Sequence, residues 1–131
     1  MQLPLEDVKI LDLSHALAGP FCSTMLGDFG AQVIKVEVPG VGDIARGWAP
    51  PFYHAETAYF VSLHRNKKSI EIDLKTAAGR ELFFRLVERF DVVLENYRVG
   101  TLDRLGIAYA QARQRSAGTP APDERRGADA A

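Results

Sequence analysis

Between Val8 and Val38 the chain switches from strand to helix and back within about 30 residues, a βαβ pattern. Val8–Leu13 (VKILDL) is a short apolar run with β-branched residues, as a buried strand requires. Ser14–Gly19 is a loop. Pro20 suits the first position of a helix, where the missing N–H costs nothing, so the pattern predicts a helix over Phe21–Phe29 stopped by Gly30. Ala31–Val38 (AQVIKVEV) is the next strand. Two strands joined through a helix pair in parallel with a right-handed crossover, which points to an open α/β sheet.

The rest of the chain extends this pattern. Pro39–Pro51 holds three prolines and three glycines and reads as a loop too punctuated for regular structure. Thr57–Leu63 fits a helix or a strand. Ser69–Leu74 (SIEIDL) alternates like a strand with one exposed face. Thr76 is a plausible N-cap, and Leu82, Phe83, Leu86, Val87 and Phe90 then fall on one helical stripe. Asp91–Glu95 reads as a strand and Leu102–Leu105 as a helical turn. From Gln111 onward there is no Val, Ile, Leu, Met, Phe, Tyr or Trp. Such a segment buries too little apolar surface to offset the entropy of ordering, so residues 111–131 are expected to be disordered.

Composition excludes several function classes. A length of 131 residues allows one domain at most, and 47% hydrophobic residues suffice for a core. The formal net charge of -1 gives no reason to expect nucleic acid or an anionic membrane as a partner. Cys22 is the only cysteine, so no intrachain disulfide forms and no metal cluster is visible. No signal peptide and no membrane span is legible, and a reduced, cytoplasmic setting fits.

Three stretches carry candidate chemistry. Ser14–Pro20 lies beyond the carboxyl end of a strand, where open α/β sheets bind ligands, and free N–H groups at a helix start attract phosphate. It has no G-x-G-x-x-G, and plain turns of this kind occur in every βαβ unit. His15 in that loop could act as a base or be an ordinary polar loop residue. Arg65-Asn66-Lys67-Lys68, with Lys75 beyond the following strand, could hold phosphates or be a solvated basic turn. Asn96-Tyr97-Arg98, with Arg104, offers an aromatic face and charge, or is a surface loop.

Leu11–Pro20, Gly27–Glu37, Arg65–Lys75 and Glu95–Gly106, with Arg46-Gly47-Trp48 between them, resemble the N-terminal part of class III CoA-transferases over about residues 3–110. That family includes formyl-CoA and carnitine CoA-transferases and 2-methylacyl-CoA racemases. The resemblance implies a Rossmann-like parallel sheet over residues 1–110, with 111–131 a non-family tail. It implies transfer of CoA between an acyl-CoA thioester and a carboxylate. Coenzyme A is then a substrate, with no metal or redox cofactor. The positions that match CoA contacts are His15, Leu17, Ala18, Ile72, Asp73, Leu74, Lys75, Asn96, Tyr97, Arg98 and Arg104. One position departs from the pattern: formyl-CoA transferase-like members have an arginine at Val38, which valine cannot replace. Arg46 could serve a structural or ligand role, and Arg46-Gly47-Trp48 could equally be a packing and salt-bridge corner.

The family's aspartate nucleophile lies beyond residue 131, so no catalytic residue is assigned here. The Ala/Arg/Pro/Gly-rich tail suggests a truncated or frame-shifted product, which sequencing past codon 110 would decide. The resemblance implies that the parent is an interlocked homodimer; a fragment would then be unable to interlock and would expose Phe83, Phe84 and Val93. Alternatives are an acyl-CoA racemase of the same family and a non-catalytic CoA- or nucleotide-binding module.

Overall fold

A computed structural model describes residues 2–115. Four parallel strands form the sheet: β1 (Lys9–Asp12), β2 (Gln32–Glu37), β5 (Lys67–Glu71) and β6 (Val92–Leu94), in the order β5-β2-β1-β6. Between β1 and β2 runs α1 (Ala18–Asp28). Between β2 and β5 lie a 3-10 turn (Ile44–Gly47), a small hairpin of β3 (Phe52–Tyr53) and β4 (Glu56–Thr57), and α2 (Ala58–Leu63). Three further helices complete it: α3 (Ala77–Val87) between β5 and β6, then α4 (Thr101–Leu105) and α5 (Tyr109–Arg115).

Period-2 alternation gives the sheet two unlike faces. Leu11, Leu13 and Val36 pack with Ile72, Leu74, Phe83, Phe84, Val87 and Ile107 on the α3 side. On the other side Ile10 and Val33 cluster with Ala31, with Leu26 of α1 packed against them. Further along the strands that second face becomes charged. Asp12 follows Ile10, and Lys35 and Glu37 follow Val33, all of them buried.

Several expectations need correction. The first helix begins at Ala18, so Pro20 sits inside its first turn, where its missing N–H still costs no helical bond. Gly30 follows the helix at φ 105°, the left-handed backbone expected of a stop. Pro39–Pro51 is not structureless: Asp43 accepts a hydrogen bond from Ala45 N and starts the 3-10 turn. Thr57–Leu63 is helical after Thr57, whose Oγ1 caps Phe60 N at 3.1 Å. The strand expected over Ser69–Leu74 lies at Lys67–Glu71. Phe83 and Phe84 are buried under α5 and the sheet, not exposed; Val93 on the edge strand is 38% exposed.

The expectation of disorder from Gln111 fails at its start. Gln111–Arg115 belong to α5, with Ala112 packed on the main core and the Arg115 guanidinium 5.4 Å from the Phe84 ring centre. Small and amphipathic side chains supply the packing, which a count of large apolar residues overlooks. The remaining tail, 116–131, lies outside the described residues.

Thr76 caps α3 as its residue type predicts, accepting from Gly79 N at 3.0 Å. We expect Thr76→Ala to lower stability by about 1 kcal/mol in urea unfolding. An unchanged midpoint would show that water caps the helix equally well.

Candidate functional site

Strand order locates the site. The chain leaves β1 for β2 and β5 on one side, and later returns to the other side of β1 as β6. The crevice at the carboxyl ends of β1 and β6 is the point where the winding direction reverses, and open α/β sheets bind ligands there. Two loops line it: residues 13–17 after β1, and residues 95–100 after β6.

These loops bring together His15, Asn96 and Tyr97, far apart in sequence. Asn96 brackets the His15 backbone: Oδ1 accepts from His15 N at 3.0 Å and Nδ2 donates to His15 O at 2.8 Å. The His15 and Tyr97 rings lie 5.0 Å apart, tilted by 49°. Tyr97 packs its body against the core. Burial, with the negative charges of Glu95, Asp12 and Asp43, pushes its hydroxyl pKa up, so it stays a neutral donor. Leu17 and Ala18 are exposed at the start of α1. Leu17 gives α1 no side-chain cap, so the Ala18 N–H has no intrahelical partner.

The stretch after β5 lies further along the same rim. Ile72 and Leu74 are buried in the core, so only their backbone can face a ligand. Asp73 and Lys75 are exposed, and Asp73 Oδ1 accepts from Lys75 N at 3.0 Å. Arg80 Nη1 donates to Lys75 O at 2.8 Å and its side chain runs beside Gly106, tying this turn to the end of α4. Arg98 is exposed, and Arg104 Nη2 donates to Thr101 Oγ1 at 2.9 Å. Val38 is 54% exposed.

Beneath the crevice lies a buried charge network that the sequence reading missed. Asp12 accepts from Ser14 N at 2.9 Å, from Ser14 Oγ and from Ser23 Oγ at 2.5 Å. Lys35 Nζ donates to Ser14 O at 2.5 Å and sits 2.7 Å from Asp43 Oδ2. Burial pushes the Asp43 carboxyl up, but hydrogen bonds from Lys35 and Ala45 N hold it below the usual carboxylate range. Lys67 Nζ reaches Pro20 O at 2.8 Å and Asp12 at 3.4 Å; burial outweighs the Asp12 charge and lowers its pKa to about 8.

The Arg46-Gly47-Trp48 segment is a salt-bridge corner. Arg46 forks onto Glu37, with Nε–Oε2 at 2.7 Å and Nη2–Oε1 at 2.8 Å, and also reaches Glu56 at 2.8 Å. Hydrogen bonding to Arg46, against the cost of burial, lowers Glu37 to about 2. The guanidinium lies 3.8 Å from the Phe60 ring centre, and His64 stacks on the same ring at 4.0 Å. Arg46 is thus engaged within the fold. Part of the signal was available: alternation in AQVIKVEV puts Lys35 and Glu37 on one face of a strand, and a parallel strand with both faces covered would bury them. No group of three metal-ligating side chains exists among the described residues. None of their helices is long and apolar enough to cross a membrane.

The profile of CoA-transferase family III matches residues 5–117. The chain belongs to this family. The match runs past Ala110, where the sequence reading ended the family-like part. Among relatives, succinyl-CoA:glutarate CoA-transferase of Mus musculus is 51% identical over 81% of this chain and 24% of its own. Succinyl-CoA--D-citramalate CoA-transferase of Chloroflexus aurantiacus is 52% identical over 82% of this chain and 27% of its own. A crystal structure of a CAIB/BAIF family protein from Brucella suis superposes with a TM-score of 0.82 and 43% identity, covering 88% of this chain and 31% of that one. The chain thus spans about a quarter of the length of the relatives it matches.

Proposed function

We propose that these residues are the CoA-binding N-terminal portion of an enzyme that transfers CoA between an acyl-CoA thioester and a carboxylate. The observation that carries the reading is the convergence of His15, Asn96 and Tyr97 on the β1/β6 crevice, in a chain of this family. His15, Leu17, Ala18, Asn96, Tyr97 and Arg98 would line the crevice, with Ile72, Asp73, Leu74, Lys75 and Arg104 along the rim. Lys75 and Arg98 make no side-chain hydrogen bond or ion pair among the described residues, so they are free to meet phosphate oxygens. The Tyr97 ring suits the adenine or the thioester arm.

The aspartate nucleophile belongs, on this reading, to the remainder of a full-length family chain. The same reading includes an interlocked homodimer of such chains in the cytoplasm, with Cys22 reduced. The outward stripe of Leu17, Phe21, Met25 and Phe29 on α1 supports assembly, because α1 turns Ser23 and Thr24 inward and these large apolar side chains outward.

Calorimetry with CoA tests the reading. We expect measurable binding without turnover of acyl-CoA by these 131 residues. Lys75→Ala and Arg104→Ala should each weaken binding by about tenfold, the scale of one lost charge-assisted hydrogen bond. Binding that is unaffected in both variants would remove the rim from the site.

A further inference from the structure

Ala16 holds a backbone conformation that its residue type disfavours. Its φ is 67°, in the region where an L-residue's Cβ crowds the following carbonyl. Such a conformation persists only where the surroundings over-determine it, and here they do. Ser14 N donates to Asp12 at 2.9 Å, and Ser14 O accepts from Lys35 at 2.5 Å. His15 N and His15 O are both bonded by the single side chain of Asn96. Every backbone polar group of the two residues before Ala16 therefore has a partner.

The helix that follows reinforces the turn. A Cβ on Gly19 would fall 2.2 Å from Ser14 Cβ and 3.2 Å from Asn96 Cγ. The loop is folded back onto the first turn of α1, with Asn96 closing it from the β6 side.

Family resemblance places Asn96 among ligand contacts. Its geometry gives it a different part. We infer that Asn96 is a positioning residue: its amide holds the left-handed turn at Ala16, and so aims the exposed Leu17 and Ala18 at the ligand. This rests on the CoA-binding reading above. Asparagine is suited to the task because one planar amide both donates and accepts. Aspartate accepts from His15 N but turns a second oxygen toward His15 O. Alanine does neither.

The side chain is exposed, so changing it does not open the core. The first arm of the test uses no ligand. In Asn96→Ala, the backbone chemical shifts of Ala16 should leave the positive-φ range, and the His15 amide should exchange about tenfold faster, as loss of its acceptor implies. The second arm measures CoA affinity by calorimetry in three chains: wild type, Asn96→Ala, and Asn96→Ala combined with Ala16→Gly. We expect about tenfold weaker binding in the single variant, matching two modest hydrogen bonds lost from the loop. The double variant should regain most of it, because glycine adopts positive φ without the Cβ penalty.

A glycine at position 16 restores a turn; it cannot restore a direct Asn96 contact. A double variant that binds as weakly as Asn96→Ala would therefore overturn the inference, as would unchanged Ala16 shifts in Asn96→Ala. If wild type binds no CoA, the CoA reading and the aiming role both fall, and the ligand-free arm alone decides whether Asn96 holds the turn.

Discussion

Replacing Lys35 by methionine is expected to destabilise the fold by about 3–5 kcal/mol, the scale for breaking a buried ion pair from one side. The Lys35 side chain is 3% exposed and that of Asp43 is not exposed at all. Methionine matches the stem of lysine but removes the ammonium. Ser14 O then loses its donor, and Asp43 Oδ2 loses the ammonium 2.7 Å away. His64 Nε2, 3.7 Å away, is the remaining basic neighbour at that oxygen. An unpaired buried carboxylate costs far more than a lost surface contact. A loss of this size is a large share of a typical domain's stability of about 5–15 kcal/mol. Adding Asp43→Asn should recover much of the loss, because a neutral amide needs no counter-charge and still leaves an oxygen for Ala45 N. Urea unfolding of the three chains by circular dichroism measures both effects. A single variant within about 1 kcal/mol of wild type would show that water or His64 already neutralises Asp43.

How far the sequence revealed this fold depended on whether a feature had a local signal. β1 and β6 were legible as short apolar runs, α1 from Pro20 and Gly30 near its ends, and α3 from its apolar stripe at helical spacing. The Thr76 cap was legible because capping depends on one residue type at one place. The 3-10 turn at Ile44–Gly47 was not. It depends on the Asp43 cap and on Arg46 reaching back to Glu37 and across to Phe60, contacts that local propensity does not encode. α5 escaped for a similar reason: its anchors are Ala112 and the stem of Arg115 over Phe84.

The site divides along the same line. A loop after β1 and another after β6 follow from strand order once α/β winding is assumed. That Asn96 would fold over the His15 backbone does not follow, since the two residues meet only through the pairing of β1 with β6. The buried charges were half legible. Alternation in AQVIKVEV sets Lys35 and Glu37 on one face, but only the loop that folds over that face shows them to be interior. Polar groups inside a covered sheet need partners, and these partners come from three other segments: Ser14 after β1, Asp43 and Arg46 at the 3-10 turn, and Ser69 on β5.

Acid should weaken this fold earlier than its carboxylates alone would cause, with His64 responsible. The His64 side chain is 5% exposed and stacked on Phe60. Its Nδ1 donates to Phe60 O at 2.8 Å, leaving Nε2 as a buried acceptor with no hydrogen-bond partner. Three charged groups act on it, Lys35 of β2, Asp43 ahead of the 3-10 turn and Lys67 of β5, and Arg46 lies on the same Phe60 ring. Burial, with the positive charges of Lys67 and Lys35, outweighs the pull of Phe60 O and Asp43 and lowers the His64 pKa to about 4. The unfolded chain takes up that proton near 6.5, before the folded one does. Stability from this group is therefore complete above pH 6.5 and is lost as pH falls toward 4. The gap corresponds to at most about 3 kcal/mol. Glu37, lowered to about 2, adds a second loss only below pH 4.5. His64→Phe keeps a ring on Phe60 and removes the titration. Unfolding free energies at pH 7.0, 5.5 and 4.5 should fall for wild type and stay nearly level for His64→Phe over that range, which covers most of the His64 window and only the onset of Glu37's. Parallel curves for the two chains would assign the acid sensitivity to other groups and leave His64 a packing residue.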